Sequence, residues 1–361
     1  MTKNDKYIDE LLFLLEHRDG KLIGSKYWAS YANQAISYLC KNGFENFRSG
    51  EFKVACSYGV VSPPFCEDIS SDRFLNKLVR HGLLPHSLAK MIVSSGVNVE
   101  KVNYDFQSLF NSFSYLFYRY VEGIDTLKKL NFCVESKNIG NPSDMVIIPD
   151  GNKISASILF KYLHYLYMRK FIDQMPTKIV EIGSGAGFLA CVLHKIHPET
   201  KIILIDLPET LATAYFYLDS CFPGEVMPYS EVMKYGRAVT DESFQHKNII
   251  LIPSYDLKRL ELNFDIGIGT ATFQEMDQDA VVNYINFLND HILRDIYIYG
   301  GDGLKSHTVQ KKYIGLMDIY SKNLTNFTLH DHSNNLFDLA PKSPCMWFNP
   351  AYTPTFWKRK I

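Results

Sequence analysis

Residues 178–207 read KIVEIGSGAGFLACVLHKIHPETKIILIDL. An apolar run (Ile179, Val180, Ile182), interrupted only by Glu181, ends in glycines at three alternate positions, Gly183, Gly185 and Gly187. That is the pattern of a strand stopping in a tight loop free of Cβ atoms. Phe188 to Lys195 carries apolar residues at helical spacing, and Ile202 to Ile205 is a second apolar run that ends in Asp206. Strand, glycine loop, helix, strand and acidic residue make the first half of a nucleotide-binding α/β sheet. The glycines let a ligand approach the backbone, the helix N-terminus offers unpaired N–H groups, and Asp206 stands where a carboxylate accepts both hydroxyls of a ribose. A ribose-containing ligand is therefore expected.

Spacing narrows the choice of ligand. A dinucleotide fingerprint, G-x-G-x-x-G, would place its third glycine at position 188, which is Phe188 here, so the close approach to a pyrophosphate is spoiled. The pattern E-x-G-x-G-x-G, Glu181 to Gly187, instead resembles motif I of class I S-adenosylmethionine-dependent methyltransferases. That resemblance implies that Glu181, Gly183, Ser184, Gly185 and Gly187 shape a loop around the methionine part of the cofactor, while Asp206 and Leu207 meet its ribose. The bland alternative is a glycine turn in an α/β protein with another ligand or none.

The chain has 361 residues, enough for one large domain or two. Thirty-eight basic against 39 acidic side chains give a formal charge of -1, and no long basic block is present, which argues against a nucleic-acid partner. No run approaches the roughly 20 apolar residues of a membrane span, so none is expected. The start of the chain is charged and lacks the pattern of a signal peptide. Seven cysteines without C-x-x-C spacing suit reduced thiols in a cytoplasmic protein.

Taken in order, residues 4–17 and Lys26 to Lys41 read as amphipathic helices, and Gly43 to Pro64 as a loop or arm. Further helices are predicted over 70–80, 86–95 and 104–130. The Gly-, Pro- and Asn-rich segment 135–155 reads as the connection between a mostly helical N-terminal region, 1–150, and a cofactor domain, 151–361. After Asp206 the spacing predicts a helix over 208–222 with Pro208 in its first turn, strands over 248–252 and 264–269, a helix over 279–293 and a strand over 295–299. A helix over 309–322 and strands over 326–330 and from 345 onward complete the chain. Strand-helix alternation followed by two strands joined without a helix fits a Rossmann-like, seven-stranded methyltransferase sheet whose last strand is antiparallel.

Four segments carry a narrower resemblance: VEIGSGAGFLA, IDLPETLATAYFYL, FDIGIGTATFQEM and PCMWFNPAYTPTFW. Together they are similar to a bacterial family of sugar O-methyltransferases, and the family implies transfer of a methyl group from S-adenosylmethionine to a sugar hydroxyl. The N-terminal region would then bind the acceptor or act as a lid, with Trp28 and Tyr58 as candidates to face a sugar ring. The rival readings are a methyltransferase for a non-sugar small molecule and a nonenzymatic subunit that binds S-adenosylmethionine. A homo-oligomer is compatible with each.

Methyl transfer to a hydroxyl profits from a base at the carboxyl ends of the strands. Glu275, in the loop after the fourth strand, is the first candidate, with Gln274 beside it; the competing role for both is to cap the following helix. His330 and His332, flanking Asp331, form a second candidate, against which stands a plain pair of loop histidines. Ser254, Tyr255 and Asp256 fall where this fold contacts adenine, and Thr270 beneath the methionine part. Asp302 is a candidate for the acceptor. Glu275, Asp277, Asp279 and Asp302 could offer oxygen ligands to Mg2+, but acidic residues near a helix start explain most of them more simply, so no metal site is expected.

Overall fold

A computed structural model of the protein describes residues 5–18, 26–49, 52, 54, 58, 138–147, 153–236, 238–245, 247–302, 315–333 and 352–360. The helices expected over 70–80, 86–95 and 104–130, most of the 43–64 arm and residues 345–348 lie outside them. The chain divides into two compact units. One comprises Met1–Glu45, His164–Asn334 and Pro350–Ile361, the other Asn46–Leu163 and Asn335–Asn349.

The first unit is built on β3 (Lys178–Ile182), β4 (Lys201–Asp206), β5 (Val226–Met227), β6 (Ile249–Pro253), β7 (Phe264–Thr270), β8 (Ile292–Gly301), β9 (Phe327–Asp331) and β10 (Tyr352–Arg359). They form one sheet in the order β5-β6-β4-β3-β7-β8-β10-β9. The central strands read as continuous apolar runs because both faces are covered, as parallel sheets require: every residue of IILIP in β6 is buried. All pairs from β5 to β8 are parallel, whereas β10 runs antiparallel to both β8 and β9. Without β5 the sheet has the expected seven strands, with the last strand in the chain, β10, antiparallel. The eighth strand is two residues long, too short for any period to reveal.

Pro354 sits inside β10, opposite Tyr299 of β8. A proline is tolerated there because β9 reaches only to Phe356, so this stretch of β10 has one hydrogen-bonding neighbour.

Helices α1 (Asp5–Glu16) and α2 (Lys26–Asn42) match the amphipathic segments of the sequence. They belong to the unit that holds the sheet, with α1 packed on α5 (Pro208–Cys221) and α6 (Tyr229–Tyr235). Between these come α3 (Ala156–Arg169), which enters this unit at His164, and α4 (Phe188–Ile196), whose first seven residues are all buried. A helix apolar on every side must lie in a core. α7 (Gln278–His291) follows β7, and α8 (Leu316–Asn323) precedes β9. Residues 309–314 of the expected last helix lie outside the described residues.

In the second unit the expected connection contains a hairpin, β1 (Met145–Ile147) against β2 (Lys153–Ser155). Its signal is present in the sequence, since Pro149-Asp150-Gly151-Asn152 separates two β-prone runs. The hairpin is anchored by a buried ion pair, Arg48 Nη2 to Asp144 Oδ1 at 3.2 Å. Asp144 Oδ2 also accepts from Ser155 Oγ, Ser157 N and Ser157 Oγ at 2.8, 2.7 and 2.6 Å. Both oxygens of that carboxylate are hydrogen-bonded and one is paired with a guanidinium, which is the condition for a buried charge to be tolerated.

Candidate active site

The glycine loop leaves the carboxyl end of β3, and Gly183, Gly185 and Gly187 all adopt left-handed backbone, with φ of 71°, 57° and 78°. At Gly183 the absence of a side chain is required twice over, because an added Cβ would lie 2.1 Å from Thr272 Oγ1. The loop after β7 thus presses directly on the glycine loop. The residue before Thr272 is Ala271, a non-glycine residue at φ 56° whose N–H donates to Tyr299 O at 2.6 Å. Backbone strain of this kind persists where the surroundings fix it, and it marks candidate functional loops.

Asp206, at the end of β4, reaches across to the same loop. Its Oδ2 accepts from Gly185 N at 2.8 Å and its Oδ1 from Leu207 N at 2.7 Å. Each oxygen is held by one backbone donor and keeps lone-pair capacity for a second. Burial pushes this carboxyl up to about 7, against the lowering by the N–H groups of Leu207 and Gly185, and the nearby buried Glu209 adds to the rise. A pair of vicinal hydroxyls would supply the two missing donors. The cradle without Cβ atoms and this carboxylate fit a ribose-containing cofactor with a compact chain at its other end.

Glu181 is buried in β3 one residue before the strand ends, and Ser184 is buried within the loop. Leu207 forms the N-terminal cap of α5, in extended backbone. Thr270 ends β7, with its neighbour Gly269 paired to Ile182, so the loops after β3 and β7 start side by side.

The three residues expected at adenine are engaged with protein. Tyr255 donates its hydroxyl to Leu14 O in α1 at 2.8 Å. Asp256 Oδ2 accepts from Tyr229 at 2.6 Å and also binds Arg259. Buried Ser254 meets the phenol of Tyr284, and burial together with the charge of Asp206 holds that phenol well above its usual value. Tyr284, on α7, therefore shares the Asp206 corner, which the sequence did not suggest. The available signal was weak, a tyrosine on the apolar face formed with Val281, Ile285 and Leu288.

Gln274 and half-buried Glu275 lie in a short 3-10 turn, Phe273–Glu275, directly after the strained residue. Gln274 does not cap α7, because its amide Nε2 donates to Tyr352 in β10 at 3.2 Å. Its Oε1 is buried with no hydrogen-bond partner among the described residues and lies where a Cβ on Gly300 would approach to 2.6 Å.

The two histidines are not near this corner. β9 is the outermost strand, three spacings or about 14 Å from β7. His330 and His332 are exposed there, the former edge-on to Phe171. Asp331 serves Tyr167 and Ser333. Asp302 binds the backbone N–H of Met317 at 3.0 Å and so caps α8. Trp28 is half-buried in α2, its ring 5.8 Å from Tyr31. Tyr58 is buried in the other unit, 5.3 Å from Phe52. Among the described residues, no group of three or more His, Cys, Asp and Glu side chains converges to hold a metal ion, and no helix is long and apolar enough to cross a membrane.

No protein-family model matches the chain, and no curated protein matches it in sequence. Among solved structures it is similar to magnesium protoporphyrin IX methyltransferase (ChlM) from Synechocystis PCC 6803 with bound S-adenosylhomocysteine, at 13% identity over 55% of this chain and 80% of that one, TM-score 0.35. It is also similar to the N-methyltransferase NodS from Bradyrhizobium japonicum WM9 in complex with S-adenosylhomocysteine, at 11% identity over 56% and 86%, TM-score 0.35. A third likeness is to the pyocyanin biosynthetic protein PhzM, at 10% identity over 92% and 96%, TM-score 0.37.

Proposed function

We propose that the protein is an S-adenosylmethionine-dependent O-methyltransferase that acts on a hydroxyl of a sugar or glycosylated acceptor. The observation that carries the cofactor is Asp206. Its two oxygens are fixed by Gly185 and Leu207 with capacity left for two hydroxyls, beside three left-handed glycines, in a sheet whose β10 is antiparallel. The sugar rests on the resemblance of IDLPETLATAYFYL and PCMWFNPAYTPTFW, not on any contact.

When bound, the cofactor supplies a methyl group on a sulfonium that is already a good leaving group. The chain's part is to fix the ribose through Asp206, to leave room for the methionine portion at Gly183, and to align the acceptor. Alignment alone accounts for about 7 to 11 kcal/mol in well-oriented reactions. Glu275, on the loop that presses on the glycines, is the group proposed to take the hydroxyl proton. Gln274 Oε1 is an open acceptor one residue away, suited to orient the same hydroxyl.

The test is calorimetry with S-adenosylhomocysteine, S-adenosylmethionine and NAD, followed by methylation assays on nucleotide sugars and glycans. Binding of the first two alone, with product formed from a saccharide, supports the assignment. Binding of NAD alone overturns the cofactor. Turnover confined to non-sugar hydroxyls overturns the acceptor.

A further inference from the structure

Helices α4 and α5 begin at the two sides of the candidate site, after Gly187 and after Leu207, and they touch along a seam. At its top an added Cβ on Gly187 would meet Leu218 Cδ1 at 2.7 Å, and Phe188 stands edge-on to Tyr217 at 4.8 Å. One turn further along both helices, Cys191 Sγ and Cys221 Sγ are 3.9 Å apart. Beyond them His194 stands edge-on to Phe222 at 4.6 Å and binds Glu225 through Nε2 at 2.7 Å. Cys191 is buried and Cys221 half-buried.

We propose that Cys191 and Cys221 are a redox modification site that closes to a reversible disulfide across this seam. A disulfide has its sulfurs about 2.05 Å apart, so the pair must approach by about 1.9 Å, a shift within reach of side-chain rotation and a small helix movement. The oxidant is a low-molecular-weight disulfide such as glutathione disulfide. The more accessible Cys221 thiolate attacks one of its sulfurs, forming a mixed disulfide and releasing one glutathione thiolate. The Cys191 thiolate then attacks the Cys221 sulfur, forming the protein disulfide and releasing the second glutathione thiolate. Two protein thiols are oxidised and one glutathione disulfide is reduced, and the two protons lost by the cysteines are taken up, by way of solvent, by the two released glutathione thiolates.

The bond bears on the site through Leu218. That residue lies one turn before Cys221 on the same helical face and already fills the space that Gly187 leaves open. Drawing Cys221 toward α4 presses Leu218 onto Gly187 and tightens the glycine loop. This consequence, unlike the disulfide itself, rests on the proposed cofactor.

The experiment treats the full-length protein with glutathione disulfide and maps non-reduced peptides by mass spectrometry. The expected product joins the Cys191 peptide to the Cys221 peptide, lighter by two hydrogens than their sum and reopened by dithiothreitol. In Cys191→Ser, which lacks the resolving thiol, Cys221 should retain glutathione instead. Wild-type protein that keeps glutathione on Cys221 without the cross-link, or that reacts only at exposed Cys40, overturns the proposal. For the oxidised form, an affinity for S-adenosylhomocysteine about fivefold or more below that of the reduced form supports coupling to the loop. Equal affinities overturn the coupling. A cross-link formed in protein that binds no S-adenosylhomocysteine in either state supports the redox site and overturns only the cofactor reading.

Discussion

At the scale of single residues, Asp206 combines two properties that ordinarily oppose each other. Its carboxyl is raised to about 7 by burial, yet both oxygens are oriented by backbone donors, and the proposed contact with a ribose favours the charged form. The unliganded carboxyl must therefore lose its proton before hydroxyls can donate to it. Affinity for S-adenosylhomocysteine should rise about tenfold between pH 6 and pH 8 and then level, since only the ionised fraction is competent. Asp206→Asn should bind at least about tenfold more weakly and lose that pH dependence, because a charge-assisted acceptor is removed. Calorimetry at three pH values checks both statements, and an unchanged profile would return Asp206 to a loop-fixing role. Glu275→Gln should leave cofactor affinity intact while lowering turnover by about a hundredfold or more, the range of general base catalysis. Retained turnover would mean that alignment suffices without a base.

Elements explain why the glycines and the buried aspartate of the hairpin cannot be exchanged. Gly183→Ala introduces a Cβ against Thr272 Oγ1 at a positive φ, so the loops after β3 and β7 must part. The variant should lose cofactor binding while its far-ultraviolet spectrum stays native. A binding constant within twofold of the parent would show that the two loops move apart readily. In the other unit, Asp144→Ala leaves the guanidinium of Arg48 buried without its carboxylate, and strips the α3 start of the acceptor for Ser157 N. Breaking a buried pair in this way costs about 3 to 5 kcal/mol. Denaturant titration should find a loss of that size, and a loss below about 1 kcal/mol would mean that water enters to replace Asp144.

For the whole molecule, the same Asp206 shift sets a pH dependence of stability. An unfolded aspartate titrates near about 3.9, and the folded one at about 7 when no ligand is bound. The folded state holds the extra proton in that window, so the stabilising contribution is complete below the lower value. It is lost as pH rises through about 7. Thermal scans of the unliganded protein should show this decline, and Asp206→Asn should flatten it. Saturating S-adenosylhomocysteine should oppose it, since ligand at about 100 times its dissociation constant adds roughly 2.7 kcal/mol.

The central strands of the sheet were largely legible because they are buried apolar runs, and such runs mark themselves in the sequence. β5 was not, since two residues carry none. Gly183, Gly185, Gly187 and Asp206 were legible because their chemistry is local, a turn that excludes side chains and an acid at a strand end. What only the tertiary structure decided is which polar groups are spent on other parts of the protein. Asp256 is consumed by Tyr229 and Arg259, Tyr255 by Leu14, and Asp302 by α8, while His330 and His332 stand on the far edge of the sheet. Buried polar atoms take whatever partner the packing brings within about 3 Å, and those partners arrive from elements tens or hundreds of residues away. The sequence by itself determined where most strands of the sheet lie and the glycine cradle, because these follow from local periodicity and backbone sterics, whereas the order of the strands came from the tertiary structure. The occupancy of each side chain was set by the packing of distant elements.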